Sequence, residues 1–331
     1  MTTTPKFYHP NAADKAKDKP MSSGALACRI RRAGTVFFLR VFFCLAERAP
    51  SKMEAWSGVL CDMALRVSPA IRTGTLANAR RILGPASSRE RQANLARQVV
   101  RSFYLFCCDV GRSLRASPQQ LLDRVEWIGG HDAFLAARRE KRGVIVLTAH
   151  MGSFEVGMAA LAAMETDVHV VFRRDKVGQF ERRRSQLRRR LGVHEAALDE
   201  GWTVWMRLRD ALLADQAVVL QGDRVLPGQK GQQVPFLGGH IELPTGPIKL
   251  ALATGAPIIP VFTVRAPGGG IRLFVEDSIH VAKNLSESDP DVVYVTLLKL
   301  KNILEKYVRA YPQQWLMLEP AWTEDRNGPE A

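Results

Sequence analysis

Gly143-Val144-Ile145-Val146-Leu147-Thr148-Ala149-His150-Met151-Gly152-Ser153-Phe154-Glu155-Val156-Gly157 is the stretch on which the fold turns. Val144 to Leu147 is short, continuously apolar and rich in β-branched residues, the pattern of a strand covered on both faces. The run stops at His150. Gly152 and Ser153 break it, and small and apolar residues resume from Phe154 to Ala163 with helical character. His150 is therefore expected in a strand-to-helix turn, where open α/β sheets bind ligands. A second strand, Val168 to Phe172, follows that helix, so the unit reads as β-α-β with a parallel crossover. The expected fold class is α/β, with a mostly parallel central sheet flanked by helices and an N-terminal helical membrane-associating segment.

The spacing within the stretch also has a chemical reading. An imidazole that removes a proton from a hydroxyl becomes cationic, and a carboxylate bonded to its other nitrogen fixes the tautomer and stabilises that charge. Glu155, in the first helical turn, is expected to fold back onto His150, which makes His150 and Glu155 the catalytic candidates. The bland alternative is a satisfied loop histidine beside a helix-capping glutamate. No Gly-x-Ser-x-Gly elbow is present, so His150 reads as a general base rather than the helper of a nucleophile. An esterase would have only Ser153 to offer, three residues past His150.

Working outward, other strand ends carry polar groups. Arg173 and Arg174 close the second strand, where they could grip a phosphate in fork geometry. They begin a basic run: residues 173 to 190 hold eight Arg and one Lys against one Asp and one Glu, half of the chain's formal charge of +14. The Arg182–Arg184 and Arg188–Arg190 triplets are either a solvated helix face or a surface for anionic lipid. Ala217 to Leu220 is a third buried strand and runs into Gln221-Gly222-Asp223-Arg224. Val234 to Gly239 forms an apolar lip suited to an acyl chain or to packing, and Thr245-Gly246-Pro247 opens a helix with proline in its first turn. Val125 to Ile128 is a candidate edge strand, Ile258 to Val264 and Arg272 to Val275 are further strands, and Val292 to Ala310 is a terminal amphipathic helix.

The chain is long enough, at 331 residues, for one elaborated α/β domain with a large core. The expected divisions are a disordered tail at 1–22, an N-terminal helical region at 23–120, an α/β core at 121–322 and a second tail at 323–331. Residues 33–46 are the most hydrophobic stretch, preceded by Arg29, Arg31 and Arg32. At 14 residues with Arg40 inside, the stretch falls short of the ~20 a spanning helix needs, so it is expected to lie in the membrane interface. The apolar positions between Met53 and Val67 (Trp56, Val59, Leu60, Met63, Ala64 and Val67) form a helical stripe assigned to core packing. Five cysteines without Cys-x-x-Cys spacing indicate neither zinc nor a disulfide framework. A pI near 9.9 implies anionic partners. Nucleic acid is the competing reading, but single-strand binders interleave aromatics with basic residues, and the 173–190 run contains only Phe180. Neither a Gly-x-Gly-x-x-Gly fingerprint nor a Walker loop is present.

Taken together, GVIVLTAHMGSFEVG, VVFRR, VVLQGDR, VPFLGG and LPTGPIKLALATGAPIIPVF resemble the lipid A biosynthesis acyltransferase family. That family is a branch of the lysophospholipid acyltransferase superfamily, which also holds phosphatidylinositol mannoside acyltransferases. The resemblance runs from about residue 25 to 322, with the family's His-x4-Glu on His150 and Glu155. It implies transfer of a fatty acyl group from acyl carrier protein or coenzyme A to a lipid hydroxyl at the cytoplasmic face of the inner membrane. It implies no cofactor beyond that donor, an anionic membrane lipid as partner and no nucleic acid. The positions it assigns to substrate are Gly152, Ser153, Arg173, Arg174, Asp223, Arg224 and Gly246, with Arg224 or a turn amide near Gly152 at the oxyanion. Two departures stand out: lipid A enzymes commonly begin with a clear membrane-spanning helix, and Gln221-Gly222 stands before the Asp where an Ala-Asp-Gln-like sequence is more usual.

Overall fold

In a computed structural model, residues 40–165, 167–174, 178–226, 229–281 and 290–326 are described. The tail expected at 1–22 and the first part of 33–46 lie outside them. The strands are β1 (Val125–Gly129), β2 (Val144–Thr148), β3 (Val168–Phe172), β4 (His194–Ala197), β5 (Ala217–Gln221), β6 (Gly231–Phe236), β7 (Gly239–Pro244), β8 (Ile258–Arg265) and β9 (Ile271–Val275). Seven of them form one sheet in the order β1-β9-β8-β2-β5-β3-β4. β8, β2, β5, β3 and β4 are mutually parallel, and β9 runs antiparallel to β8 with β1 parallel to β9 at the edge. β2 is the central strand of the seven, with a parallel neighbour on each side, and its four apolar residues are buried on both faces, as their composition requires. The crossover from β2 to β3 runs through helix Phe154–Met164 and skips over β5.

Three strands escaped the sequence reading. β6 and β7 make a separate antiparallel ribbon, joined through Leu237 and Gly238, both at positive φ, the geometry of a tight hairpin turn. The apolar lip at 234–239 is therefore a hairpin whose Val234 and Phe236 are packed into the main core. β4 is four residues long and closes the sheet's far edge. Residues 323–326, expected to begin a tail, form a short helix tied back by Arg81 to Asp325 at 2.9 Å and by His240 to Glu324 at 2.9 Å.

The N-terminal helices exchange the roles expected of them. In the helical residues 40–48, Phe42, Phe43 and Ala46 face inward: Phe43 stacks on Phe180 at 5.8 Å and Phe42 meets the edge of Tyr104 at 5.6 Å. Within the described part of the stretch expected in lipid, Phe42 and Phe43 form a packing face. Gly111 lies so close beneath it that an added Cβ would sit 2.7 Å from that of Ala46. Conversely, the Met53–Val67 stripe assigned to the core is largely in solvent, with Trp56, Val59, Met63 and Val67 exposed. Pro69 does not simply end this region. Ser68 caps a new helix, Pro69–Leu83, whose first turn tolerates the proline. Phe43→Ala is expected to cost about 3 to 5 kcal/mol of folding stability. A urea titration showing an unchanged midpoint would refute the packing role.

Among the described residues, no helix is long and apolar enough to cross a membrane. Cys61 and Cys108 are buried, which pushes their thiols up to about 11 and about 12.

Candidate active site

β2 delivers His150 to the carboxyl edge of the sheet, and β5 delivers Asp223 to the same edge one strand away. The two meet. His150 Nδ1 lies 2.8 Å from Asp223 Oδ1, and the His150 backbone N–H donates to Asp223 Oδ2 at 3.1 Å. The Trp315 indole N–H donates to the same Oδ2 at 2.9 Å. An ionised carboxylate only accepts, so Nδ1 must carry the proton and Nε2 is left as the ring nitrogen able to take one. Asp223 is buried, which alone would push its carboxyl up. His150, Arg224 and the indole N–H outweigh that and hold it well below the usual range. Burial is likewise the largest influence on His150 and lowers its pKa, aided by Arg224 and Arg184 and opposed by Asp223.

This pairing corrects the expected one. Glu155 does not fold back onto His150. Its buried carboxylate takes a hydrogen bond from Arg184 and lies 3.6 Å from Arg188. Arg188 is itself buried against the Phe172 ring at 4.0 Å, and pairs with Glu181 and, at 2.7 Å, with Glu195. Part of the basic run is thus taken up in ion pairs: Arg183 reaches Glu47, and Arg174, on the surface, reaches Asp199 and Glu200. Arg174, expected on a phosphate, is held in those ion pairs, and of the two strand-end arginines only Arg173 lines the space beside His150.

Gly152 and Ser153 also have structural duties rather than the substrate contacts expected of them. The Gly152 N–H donates to the Gln314 carbonyl at 2.9 Å, so that amide is not open to an oxyanion. At φ +54, with an added Cβ falling 2.5 Å from the Thr263 carbonyl oxygen, position 152 requires glycine. Ser153 is fully buried and donates its hydroxyl to Asp109. Asp109 also accepts from Arg124 at 2.6 Å and from Arg265 at 3.0 Å, joining helix Arg89–Ser113 to the ends of β1 and β8 behind the catalytic turn. A buried, donating serine is no nucleophile. Ser153→Ala is expected to lower stability by roughly 1 to 3 kcal/mol, the cost of leaving a buried acceptor short, while turnover by the folded fraction persists. Turnover abolished in a stable variant would restore the nucleophile.

Arg224 remains the cationic group at His150. Among the described residues, its buried Nε has no hydrogen-bond partner, and Nη1 donates to the Met317 sulfur at 3.9 Å. A neck of about 30 Å³, lined by His150, Arg173, Gln221, Arg224 and Trp205, opens beside the pair. It shares Arg173, Trp205 and Leu226 with a cavity of about 700 Å³ whose walls include Trp205, Met206, Leu226 and Leu250 and whose cations are Arg173, Arg209, Lys230 and Lys249. Gly246 forms part of this cavity, and a Cβ there would meet the Trp205 ring at 2.7 Å.

Two partners of the turn went unread in the sequence, Asp109 and the 314–316 segment. The latter straps the turn: the Leu316 N–H donates to the His150 carbonyl at 2.7 Å, Met151 bridges Trp315, and the Gln314 side chain bonds both the N–H and the carbonyl of Arg265. No motif marks either, since each meets the turn from a part of the chain far away in sequence.

A base held by a buried carboxylate beside an apolar cavity with cations is the context for a comparison with known proteins. The model of the bacterial lipid A biosynthesis acyltransferase family matches residues 26–324. The chain belongs to that family. Its site stretch, strand order and cavity are thus those of one member of the lipid A biosynthesis acyltransferases. A phosphatidylinositol mannoside acyltransferase of Mycolicibacterium smegmatis is 29% identical over 186 residues, covering 56% of this chain and 58% of that protein. One from Mycobacterium tuberculosis is 28% identical over 206 residues, covering 62% and 61%. The chain spans less than two thirds of the length of these relatives.

Proposed function

We propose that this family member is an acyltransferase that moves a fatty acyl group from a thioester, on acyl carrier protein or coenzyme A, to a hydroxyl of a lipid or glycolipid at the cytoplasmic face of the inner membrane. The observation that carries the reading is the His150–Asp223 pair at the neck of the apolar cavity of about 700 Å³. His150 Nε2 takes the proton of the acceptor hydroxyl as that oxygen attacks the thioester carbonyl carbon. Asp223 keeps the imidazole in the required tautomer and stabilises the imidazolium. The tetrahedral oxyanion sits against Arg224, whose buried, unpartnered Nε is placed for charge that develops there. Collapse breaks the carbon–sulfur bond, and the leaving thiolate recovers the proton from Nε2, giving an ester and a free thiol. A thioester is already activated, so this chemistry asks for no cofactor or covalent acyl-enzyme. The acyl chain lies along Trp205, Met206 and Leu250, and Arg173, Lys230 and Lys249 meet donor or acceptor phosphate.

Glu155 enters this scheme as a positioning group for Arg184 and Arg188 and not as the partner of His150. The nucleic-acid alternative is weakened because Arg184, part-buried, and Arg188, buried, are held in ion pairs rather than arrayed for phosphates. Purified protein supplied with acyl carrier protein or coenzyme A thioesters and a cell lipid extract tests the reading. Mass spectrometry should find a lipid gaining one acyl group together with stoichiometric thiol release. Thiol release with free fatty acid and no acylated lipid would replace transfer by hydrolysis.

The lowered pKa of His150 sets a pH dependence. A base works when neutral, and burial keeps His150 neutral to below its ordinary value of 6.5, so kcat/KM should hold its plateau down through pH 6.5 and fall only in more acidic solution. An acidic limb that breaks above pH 7 would contradict the buried geometry.

A further inference from the structure

Trp56, Val59, Met63 and Val67 lie three, four and four residues apart, which places them on one face of helix Ser57–Val67 and the residue before it. They are 60%, 75%, 50% and 77% exposed. The opposite face is held: Ser57 and Cys61 are buried, and Arg101 donates to the Ser57 hydroxyl at 3.1 Å. A ridge of one indole, two valines and a methionine is a large apolar surface to leave in water. Lys52, Arg66 and Arg72, all exposed, flank it along the chain, and Arg97 is exposed on the neighbouring helix Arg89–Ser113. The one carboxylate on this helix, Asp62, is bonded to Arg97 at 2.7 Å.

We propose that this ridge is the surface by which the protein sits on an anionic lipid bilayer. The side chains enter the headgroup–acyl boundary, the indole at the interface, while the flanking cations meet lipid phosphates. Charge selects this occupant. A second copy docked about a two-fold axis would set Lys52, Arg66 and Arg72 against their own equivalents, like charge against like. Residues 1–39 are also poor cover, since they carry seven Lys or Arg against two Asp. The inference names the membrane contact for the lipid-modifying role proposed above, but it does not depend on that role, because binding is measured without donor or turnover.

The test is co-sedimentation of the full chain with phosphatidylcholine vesicles, with and without phosphatidylglycerol. Wild type should bind the phosphatidylglycerol vesicles and be released by salt. Val59→Gln/Met63→Gln/Val67→Gln should weaken binding by on the order of tenfold or more, with far-UV circular dichroism unchanged. Arg66→Glu/Arg72→Glu should weaken it by roughly as much. A blue shift in the wild-type emission on adding vesicles should be reduced in Trp56→Phe. The proposal is overturned if wild type ignores both vesicle types, or if the glutamine variant binds as wild type does, which would place the anchor elsewhere. It is equally overturned if wild type is a dimer in ultracentrifugation that the glutamine variant dissociates, which would make a second copy the occupant.

Discussion

Alanine in place of His150 is expected to lower acyl transfer by on the order of 10² to 10⁴, the usual loss when a positioned general base is removed. The side chain sits at the surface of the neck, and its backbone N–H and carbonyl make the hydrogen bonds that hold the turn, to Asp223 and Leu316. Truncation at Cβ therefore leaves the scaffold in place, and the thermal midpoint should move little. Residual rate then reports what Arg224 and substrate positioning supply without a base. Single-turnover kinetics on the purified variant, with thermal unfolding as the control, decide the matter. A rate like that of the wild type would remove His150 from the chemistry.

Asp223→Asn should fall in the same range, on the order of 10² to 10⁴, for a reason that the geometry dictates. Two donors, the Trp315 indole N–H and the His150 backbone N–H, converge on Oδ2. The amide oxygen of the substituted side chain would stay with them, which turns its NH₂ towards His150 Nδ1. That nitrogen must then accept, so the proton moves to Nε2 and the base faces substrate in the wrong tautomer. Glu155→Gln makes the contrast. It leaves His150 and Asp223 untouched but strips a buried carboxylate from Arg184 and Arg188, so its effect belongs in stability, roughly 1 to 3 kcal/mol. Should Glu155→Gln match the kinetic loss of Asp223→Asn in a fully stable protein, the pairing assigned here would have to be reversed.

The contrast between these two carboxylates also marks how far the sequence could be read. β2 was legible because an uninterrupted β-branched run has one comfortable place, the middle of a parallel sheet, and the glycine break then located His150. Its partner was not, because Asp223 is 73 residues away and reaches His150 through strand order. Local spacing favoured Glu155, whose nearness along the chain is real but whose side chain points towards the helix bearing Arg184. Several candidate residues do come together, since Arg173, Arg224 and Gly246 line the neck or cavity and Asp223 pairs with His150 there. Their contacts were harder to foresee: Asp223 accepts from His150, Ser153 donates to Asp109, and Arg174 pairs with acids on the surface. Phe42–Phe43 and the Trp56–Val67 stripe were exchanged for a related reason. Periodicity reveals that a helix has an apolar face, but only the neighbouring helix Arg89–Ser113 determines which of two such faces is covered.

The strap formed by Gln314 to Leu316 has a consequence for how the protein comes to life on the ribosome. Synthesis runs from the N-terminus, and domains begin to order as they emerge. His150 and Asp223 are both made well before the segment that donates an indole N–H to one and seats the carbonyl of the other. The nascent chain therefore holds every strand of the sheet before the strap exists. A chain interrupted after Ala310 would keep those strands but lack the indole N–H that Asp223 accepts and the N–H that seats the His150 carbonyl.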